Sequence, residues 1–334
     1  MPTGHNHWRR LVRRTMEEMM ATAEIAKYTT WLEAVHVFFV KAEIQLINRQ
    51  IHRETSAVTR RLMKKHRIMR RYVDAVMGDL SESEPVLPEH GPELQNRIWL
   101  CWWQGYDQAP EISKRCMDSI RQHSGGHTVT IITEENYQEY VRIPQWLEEK
   151  YRTGVISRTH FSDVLRLSLL AEYGGLWLDA TIFCSSEKVQ DCFRQPLWSV
   201  KRPGYGHISA GCGGFVTGMM RCDSSLRWIY VLLRDTLLEY WKRHDILIDY
   251  LILDYLIDYV IRNNSAVRQC FNAILPNNPQ SDELVKILNQ PYDEAIWNEM
   301  TKETYLFILS WKQNYVMEAD GRETFYAKLI KGEL

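Results

Sequence analysis

The stretch His160–Cys184, HFSDVLRLSLLAEYGGLWLDATIFC, constrains the fold more than any other part of the 334-residue chain. Leu165, Leu169 and Tyr173 fall at i, i+4 and i+8, with Leu170 widening the stripe, so the spacing predicts a helix with an apolar face. Ser157 or Thr159 is placed to accept from its first N–H groups, and Gly174 to take the left-handed cap at its end. Leu176-Trp177-Leu178 then reads as a short buried strand, and Asp179 is the first charge met on leaving it. Asp163 and Arg166, three residues apart, share one helix face. Taken alone they are a local salt bridge worth about 0.2–0.5 kcal/mol. The reversal at Gly174–Gly175 also brings Asp179 back, so three polar groups converge near one strand end, where open α/β sheets bind ligands. Arginine offers a fork for phosphate or sugar hydroxyls, and a lone carboxylate beside a phosphate implies Mg2+ or Mn2+. Structural ion pairs use the same residue types, so spacing leaves both readings open.

Along the chain, residues 8–77 read as helical throughout, with no proline or glycine between Gly4 and Gly78. Trp31, Val35, Phe38, Ala42 and Leu46 form a helical stripe, and a cationic run follows from Arg60 to Arg71. This amphipathic arm is expected to pack on the core, on a second copy or on a bilayer. Gly78–Pro92 is a linker by composition. Strands are expected at Asn96–Gln104, Thr128–Ile132, Pro196–Val200 and Tyr305–Trp311. Helices are expected at Pro110–His123, Glu135–Tyr140, Pro144–Tyr151, Ser224–Trp241, Ile246–Ile261 and Asp282–Leu288. Alternation of strand and helix implies a mostly parallel sheet in an α/β domain.

Several function classes fall away. A 45% hydrophobic chain rich in Trp and Tyr is not globally disordered. Seven cysteines with no C-x-x-C pair exclude a zinc knuckle or thioredoxin motif, and a reducing cytosol is the simplest setting. The start MPTGHNHWRRLVRR has no apolar signal core, and Ala34–Val40 falls far short of the ~20 apolar residues of a spanning helix. The glycine-rich run over 203–218 meets neither the P-loop nor the dinucleotide pattern and reads best as a turn between strands. Charge is uneven: residues 1–80 hold 15 Lys/Arg against 8 Asp/Glu, and residues 81–334 hold 26 against 34. A basic head on an acidic body points to an anionic surface, a membrane leaflet before nucleic acid, with a plain solvated face as the even alternative. Asp249 and Asp254, read as lying in one strongly apolar helix, are weak candidates for orienting an acceptor hydroxyl or acting as a base.

HFSDVLRLSLLAEYGGLWLDATIF resembles the core motif of the glycosyltransferases of the capsular polysaccharide synthesis family. That family is related to the retaining, D-x-D-type transferases that include the yeast mannosyltransferases and the clostridial glucosylating toxins. IWLCWWQGYDQAPEISKRCMDSIRQH resembles its first strand and helix through W-x-Q-G-x-x-x-A-P, and YWKRHDILIDYLILDYLI resembles its downstream helix pair. The likeness covers residues 95–312 in blocks, of which S-D-x-x-R…G-G-x-x-x-D is the specific one.

The resemblance implies a GT-A-like, Rossmann-type nucleotide-sugar domain over 94–334; the basic helical arm over 1–77 and the linker over 78–93, read from composition, precede it and lie outside the likeness. It implies a metal-dependent hexosyl transfer from a nucleotide diphospho-sugar, in first place a UDP-sugar, to a hydroxyl of a capsular or surface polysaccharide. Retention of configuration follows from the family alone. From the cysteines and the charge of the arm rather than from the resemblance, the expected setting is cytoplasmic, with peripheral contact at the inner face of the membrane as one option. Asp163, Arg166 and Asp179 are implied as catalytic, and Trp102 as the ring that stacks on the base, with Trp99 and Trp103 as neighbouring rings. Gly175, Thr181, Ser310, Trp311 and Lys312 join them in binding the donor. Asp179 and Thr181 are the implied ligands of Mn2+ or Mg2+, Thr181 standing where the wider superfamily has a second aspartate. Two other readings stay open: an effector that glycosylates a host protein, and a non-catalytic nucleotide-sugar-binding assembly subunit.

Overall fold

The computed structural model describes residues 4–50, 56–79, 96–202 and 210–334. Beyond Asp79, the linker expected over 78–93 lies outside the described residues, as does the 203–209 part of the glycine-rich run. Three helices open the chain: α1 (Gly4–Tyr28), α2 (Trp31–Gln50) and α3 (Ser56–Met77). The helix read as continuous over 8–77 is thus broken at Thr29–Thr30, and the reason is a reciprocal cap. Glu33 N–H donates to the Thr30 hydroxyl at 3.3 Å, and Thr30 N–H donates to the Glu33 carboxylate at 3.1 Å. That T-x-x-E pattern starts a new helix even inside an unbroken apolar stripe.

The central unit runs in order β1 (Ile98–Cys101), α4 (Glu111–Gln122), β2 (Val129–Ile132), α5 (Tyr137–Tyr140), α6 (Gln145–Arg152), α7 (Arg158–Tyr173) and β3 (Gly175–Leu178). It continues through β4 (Ile182–Cys184), β5 (Leu197–Ser199), β6 (Met219–Cys222), α8 (Arg227–Arg243), α9 (Ile252–Asn263) and, later, β7 (Leu306–Ile308). The five-stranded sheet has the order β2-β1-β3-β6-β5. β1 is parallel to both β2 and β3, whereas β6 runs antiparallel to β3 and β5 antiparallel to β6. The expectation of a mostly parallel sheet is therefore met on one side only. After β3 the chain returns without a crossover helix, and a return of that kind gives antiparallel neighbours. β4 leaves the sheet to pair with β7. Helix boundaries also differ at Ile246–Ile261, where the helix begins only at Ile252.

Burial on both faces explains why the strands read as apolar runs. Ile98 and Leu100 of β1, with Leu176 and Leu178 of β3, point into one core, and Trp99 and Trp177 point into the other. α7 crosses that second core and is buried nearly all round, with Phe161, Leu165, Leu167, Leu169 and Leu170 inaccessible. Its junction with β3 needs both glycines. Gly174 and Gly175 have φ of +70° and +90°, and a Cβ on Gly175 would lie 2.6 Å from the Arg97 carbonyl oxygen. Gly174 does not take the left-handed helical cap itself: its φ/ψ of 70°/−148° is an extended mirror conformation.

The N-terminal helices belong to this same core. Ile25, Ala34, Val37, Ile68, Met69, Tyr72, Val73 and Val76 pack with residues of α7, α8 and α9. Polar contacts fix the register. Lys65 Nζ meets Asp249 Oδ2 at 2.7 Å with both side chains nearly inaccessible, and His66 Nδ1 lies 2.8 Å from the Tyr255 hydroxyl. Arg70 pairs with Asp258 at 2.9 Å, and Asp74 with Arg262 at 2.8 Å. Among the described residues, no helix is long and apolar enough to cross a membrane.

Removing Lys65 would take away the direct partner of the buried Asp249 and leave only the more distant pull of Lys41. Lys65→Met is expected to cost about 3–5 kcal/mol in urea unfolding; a loss within error of zero would mean the pair does not hold α3 in place. Gly175→Ala should cost about 3 kcal/mol, from the positive φ and the clash with β1, and a variant of native stability would contradict the close approach of the two strands.

Candidate active site

The site is built from the helix that enters the sheet's mouth. Ser157 caps α7, accepting from His160 N–H at 3.3 Å, and its hydroxyl lies 2.7 Å from His160 Nδ1. His160 is buried and its Nε2 lies 3.4 Å from the Tyr250 carbonyl oxygen, so it ties the start of α7 to the segment that leads into α9. One turn on come Asp163 and Arg166, 8% and 5% exposed. Arg166 Nη2 donates to Asp179 Oδ1 at 2.9 Å and lies 3.5 Å from Asp163 Oδ1. The first is a charge-assisted hydrogen bond; the second is a charge contact too long to be a good one.

Asp179 sits just past β3, with its side chain 40% exposed. Trp177, two residues earlier and therefore on the same strand face, donates its indole N–H to the same Oδ1 at 2.7 Å. The Arg166 guanidinium also lies 5.1 Å from the Trp177 ring centre. The backbone is held as firmly: Asp179 N–H donates to the Gly218 carbonyl and Ile182 N–H to the Asp179 carbonyl, both at 2.9 Å. Gly218 leaves room for the carboxylate, since a Cβ there would lie 2.6 Å from Asp179 Oδ2.

Asp254, on α9, is the third acid within the field of Arg166. Burial pushes the Asp163 carboxyl up to about 7; Arg166 opposes this, and Asp179 and Asp254 add to it. Burial likewise pushes Asp254 up to about 7 against the pull of Arg166. One guanidinium thus faces three acids, two of them with carboxyls raised to about 7. Burial also raises the nearby Cys101 thiol to about 12, with Asp179 adding to the effect, so it is no nucleophile.

The three neighbouring tryptophans separate cleanly. Trp99 is buried and donates to the Gly174 carbonyl at 2.9 Å, and Trp103 is buried against Tyr137, Tyr151 and Phe161. Trp102 is half-buried and meets Trp311 edge-on, with ring centres 6.0 Å apart. Trp311 is exposed, with Lys312 Nζ 5.6 Å from its ring centre, and Tyr315 donates to the Ser310 carbonyl. Leu309 N–H donates to the Thr181 carbonyl at 2.9 Å, which brings the segment 309–312 to the turn after Asp179. Trp102, Asp179, Thr181 and the tract Ser310–Lys312 are thereby gathered beyond the carboxyl ends of β1 and β3.

Two expected residues fall elsewhere. Gly175 begins β3, at the opposite end from Asp179, and its work is close strand packing. Asp249 precedes α9 in a turn, accepts from Leu251 N–H at 2.9 Å, and pairs with Lys65. Burial would raise its carboxyl, but Lys65 and Lys41 outweigh burial and hold it below the usual range. Trp177 and Gly218 join the site without having been among the residues expected from the sequence. The i, i+2 relation of Trp177 to Asp179 was available in the sequence, whereas nothing there marks Gly218 as the partner of Asp179.

The donor set limits any metal. Among the described residues no group of three His, Cys, Asp or Glu side chains is arranged to hold an ion. Arg166 and Trp177 occupy Asp179 Oδ1, so of this carboxylate Oδ2 is the oxygen left for a further partner. A single carboxylate oxygen is a donor set that suits only an ion, such as Mg2+ or Mn2+, that keeps its waters and takes phosphate oxygens.

The sequence profile of a family described as capsular polysaccharide synthesis protein matches residues 49–329. The match reaches past the blocks over 95–312 on both sides and takes in α3. An O-glycosyltransferase, PaGT, of Phomopsis amygdali is 26% identical over 168 residues, 45% of this chain and 39% of its own length. The chain therefore matches about two fifths of that curated relative. The apo structure of the WbbM bifunctional glycosyltransferase superposes loosely, with a TM-score of 0.38 and 10% identity over 95% of this chain and 70% of that one.

The raised acids give stability a definite pH dependence. Between the ordinary carboxyl value near 4 and about 7, the native state binds more protons than the unfolded chain, so their contribution to stability falls as pH rises through that window. Asn mimics the protonated acid. Asp254→Asn should therefore gain stability over the parent at pH 8 compared with pH 4 in denaturant unfolding; a difference independent of pH would contradict the raised carboxyl.

Proposed function

This chain belongs to the capsular polysaccharide synthesis protein family, and we propose on that premise that it is a glycosyltransferase. It moves a sugar from a nucleotide diphospho-sugar, a UDP-sugar in first place, to a hydroxyl of a growing capsular or surface polysaccharide. The observation that carries this reading is the Arg166 guanidinium held by Asp179 and beside Asp163 at the carboxyl end of a parallel strand pair. Open α/β sheets place nucleotide ligands there, which supports a GT-A-like, Rossmann-type donor site. The relative named an O-glycosyltransferase supports an oxygen acceptor.

In this reading the half-buried Trp102 stacks on the base, with the exposed tract Trp311–Lys312 beside it. Asp163 and Arg166 hold the sugar hydroxyls and the phosphate side. The bond between the anomeric carbon and the diphosphate oxygen breaks, and the diphosphate leaves with the electron pair. A bond forms from the acceptor oxygen to that carbon, and the acceptor proton passes to the Asp254 carboxylate, whose value of about 7 suits a base at neutral pH. Arg166 and Lys312 stabilise the charge that develops on the leaving group. Asp179 Oδ2 and the Thr181 hydroxyl are the groups that would hold Mn2+ or Mg2+, which adds positive charge at the diphosphate. Retention belongs to this proposal through the family resemblance alone.

Asp179→Ala tests the assignment. Transfer or donor hydrolysis should fall by at least about 100-fold, the scale of losing one charge-positioning group, with the unfolding transition of the parent retained. Full activity in that variant would sink the site. Calorimetry with UDP, with and without Mn2+, separates the enzyme from a non-catalytic binding subunit, because metal-linked nucleotide binding is expected only of the former.

A further inference from the structure

The two long faces of α3 have different fates. Its inner face, Lys65, His66, Ile68, Met69, Tyr72 and Val73, is buried against the body of the protein. Its outer face presents Arg60, Lys64, Arg67 and Arg71, spaced i, i+4, i+7 and i+11, and all four are exposed. α2 lies alongside and antiparallel: Glu33 near its start pairs with Arg71, and Glu43 further along pairs with Arg61. While Ala34, Val37 and Val40 of α2 face the core, Trp31, Leu32 and Phe39 point away from it, 61%, 81% and 64% exposed. A cationic ridge therefore runs beside an apolar, partly aromatic one, both on the side of the hairpin turned from the core.

We infer that this outer face of α2 and α3 docks on an anionic lipid bilayer. Large apolar side chains so exposed on one ridge call for a covering surface, and the neighbouring cations select its charge. Trp and Phe insert at headgroup level, and Lys and Arg beside them meet anionic headgroups. A second copy of the chain suits the face poorly, since two-fold pairing would set the cationic ridges against each other. The inference goes beyond the transfer reaction and does not rest on it. It turns the inner face of α3, which carries Lys65 and Arg70 against Asp249 and Asp258, into a brace between the bilayer and the segment bearing Asp254.

Co-sedimentation of the full chain with vesicles tests it without any donor or acceptor. Binding is expected to phosphatidylcholine vesicles containing phosphatidylglycerol and not to phosphatidylcholine alone, and it should weaken as NaCl is raised. Combining Arg60→Glu, Lys64→Glu and Arg67→Glu should lower the partition coefficient about 100-fold, at roughly fivefold for each cation removed. The pair Trp31→Ser and Phe39→Ser should also release the protein, and both variants should melt as the parent does because the altered residues are exposed. The inference is overturned by equal binding to neutral and anionic vesicles, by no binding to either, or by undiminished binding of the triple variant. Sedimentation velocity supplies a further refutation: a dimer that the Trp31/Phe39 variant abolishes would assign the face to a second copy.

Discussion

A single guanidinium organises the mouth of the sheet. Arg166 comes from a helix buried nearly all round, and it reaches the strand end where Asp179 leaves the core. Without it, Asp163 would be a buried acid without its cation, Asp254 would keep only the weaker pull of Lys65, and Asp179 would lose one of the two donors to its Oδ1. The glycine pair exists to make this meeting possible. With a side chain at Gly175, β3 would stand away from β1 and carry Asp179 with it.

The N-terminal helices enter the same arrangement from behind. Asp249 and Asp258 flank Asp254 in the chain, and both are held by α3, through Lys65 and Arg70. The segment that places Asp254 opposite Arg166 is thus fixed at two points by charges from the start of the sequence. His160 adds a third tie, from α7 to the Tyr250 carbonyl. Helices that read as an appendage by composition are, in packing terms, the support behind the segment that bears Asp254.

The sequence made legible whatever depended on neighbours close along the chain. The α7–Gly-Gly–β3 turn, the pairing of Asp163 with Arg166 and the cap at Ser157 all follow from local spacing, and the structure has them. Trp177 was equally local, two residues from Asp179, but an indole in an apolar strand looks like core. The capping box at Thr30 was likewise present, hidden by a stripe that continues across it. What stayed illegible depended on long-range pairing. β6, Met-Met-Arg-Cys, has no alternation to mark it as the antiparallel partner of β3, so neither the mixed sheet nor the place of Gly218 was visible. Asp249 and Asp254 look alike in sequence, and only the distant Lys65 separates a structural acid from one at the site.

The cluster of one arginine and three acids behaves as a charge buffer. Burial lifts both the Asp163 and the Asp254 carboxyl to about 7, so the charge of the cluster depends on how these acids share protons in the field of Arg166. A cation entering beside Asp179 would expel protons from the pair, and an anionic phosphate arriving at Arg166 would draw protons in. A charge arriving beside Asp179 or Arg166 would thus be met by a shift of protons on the buried acids behind it.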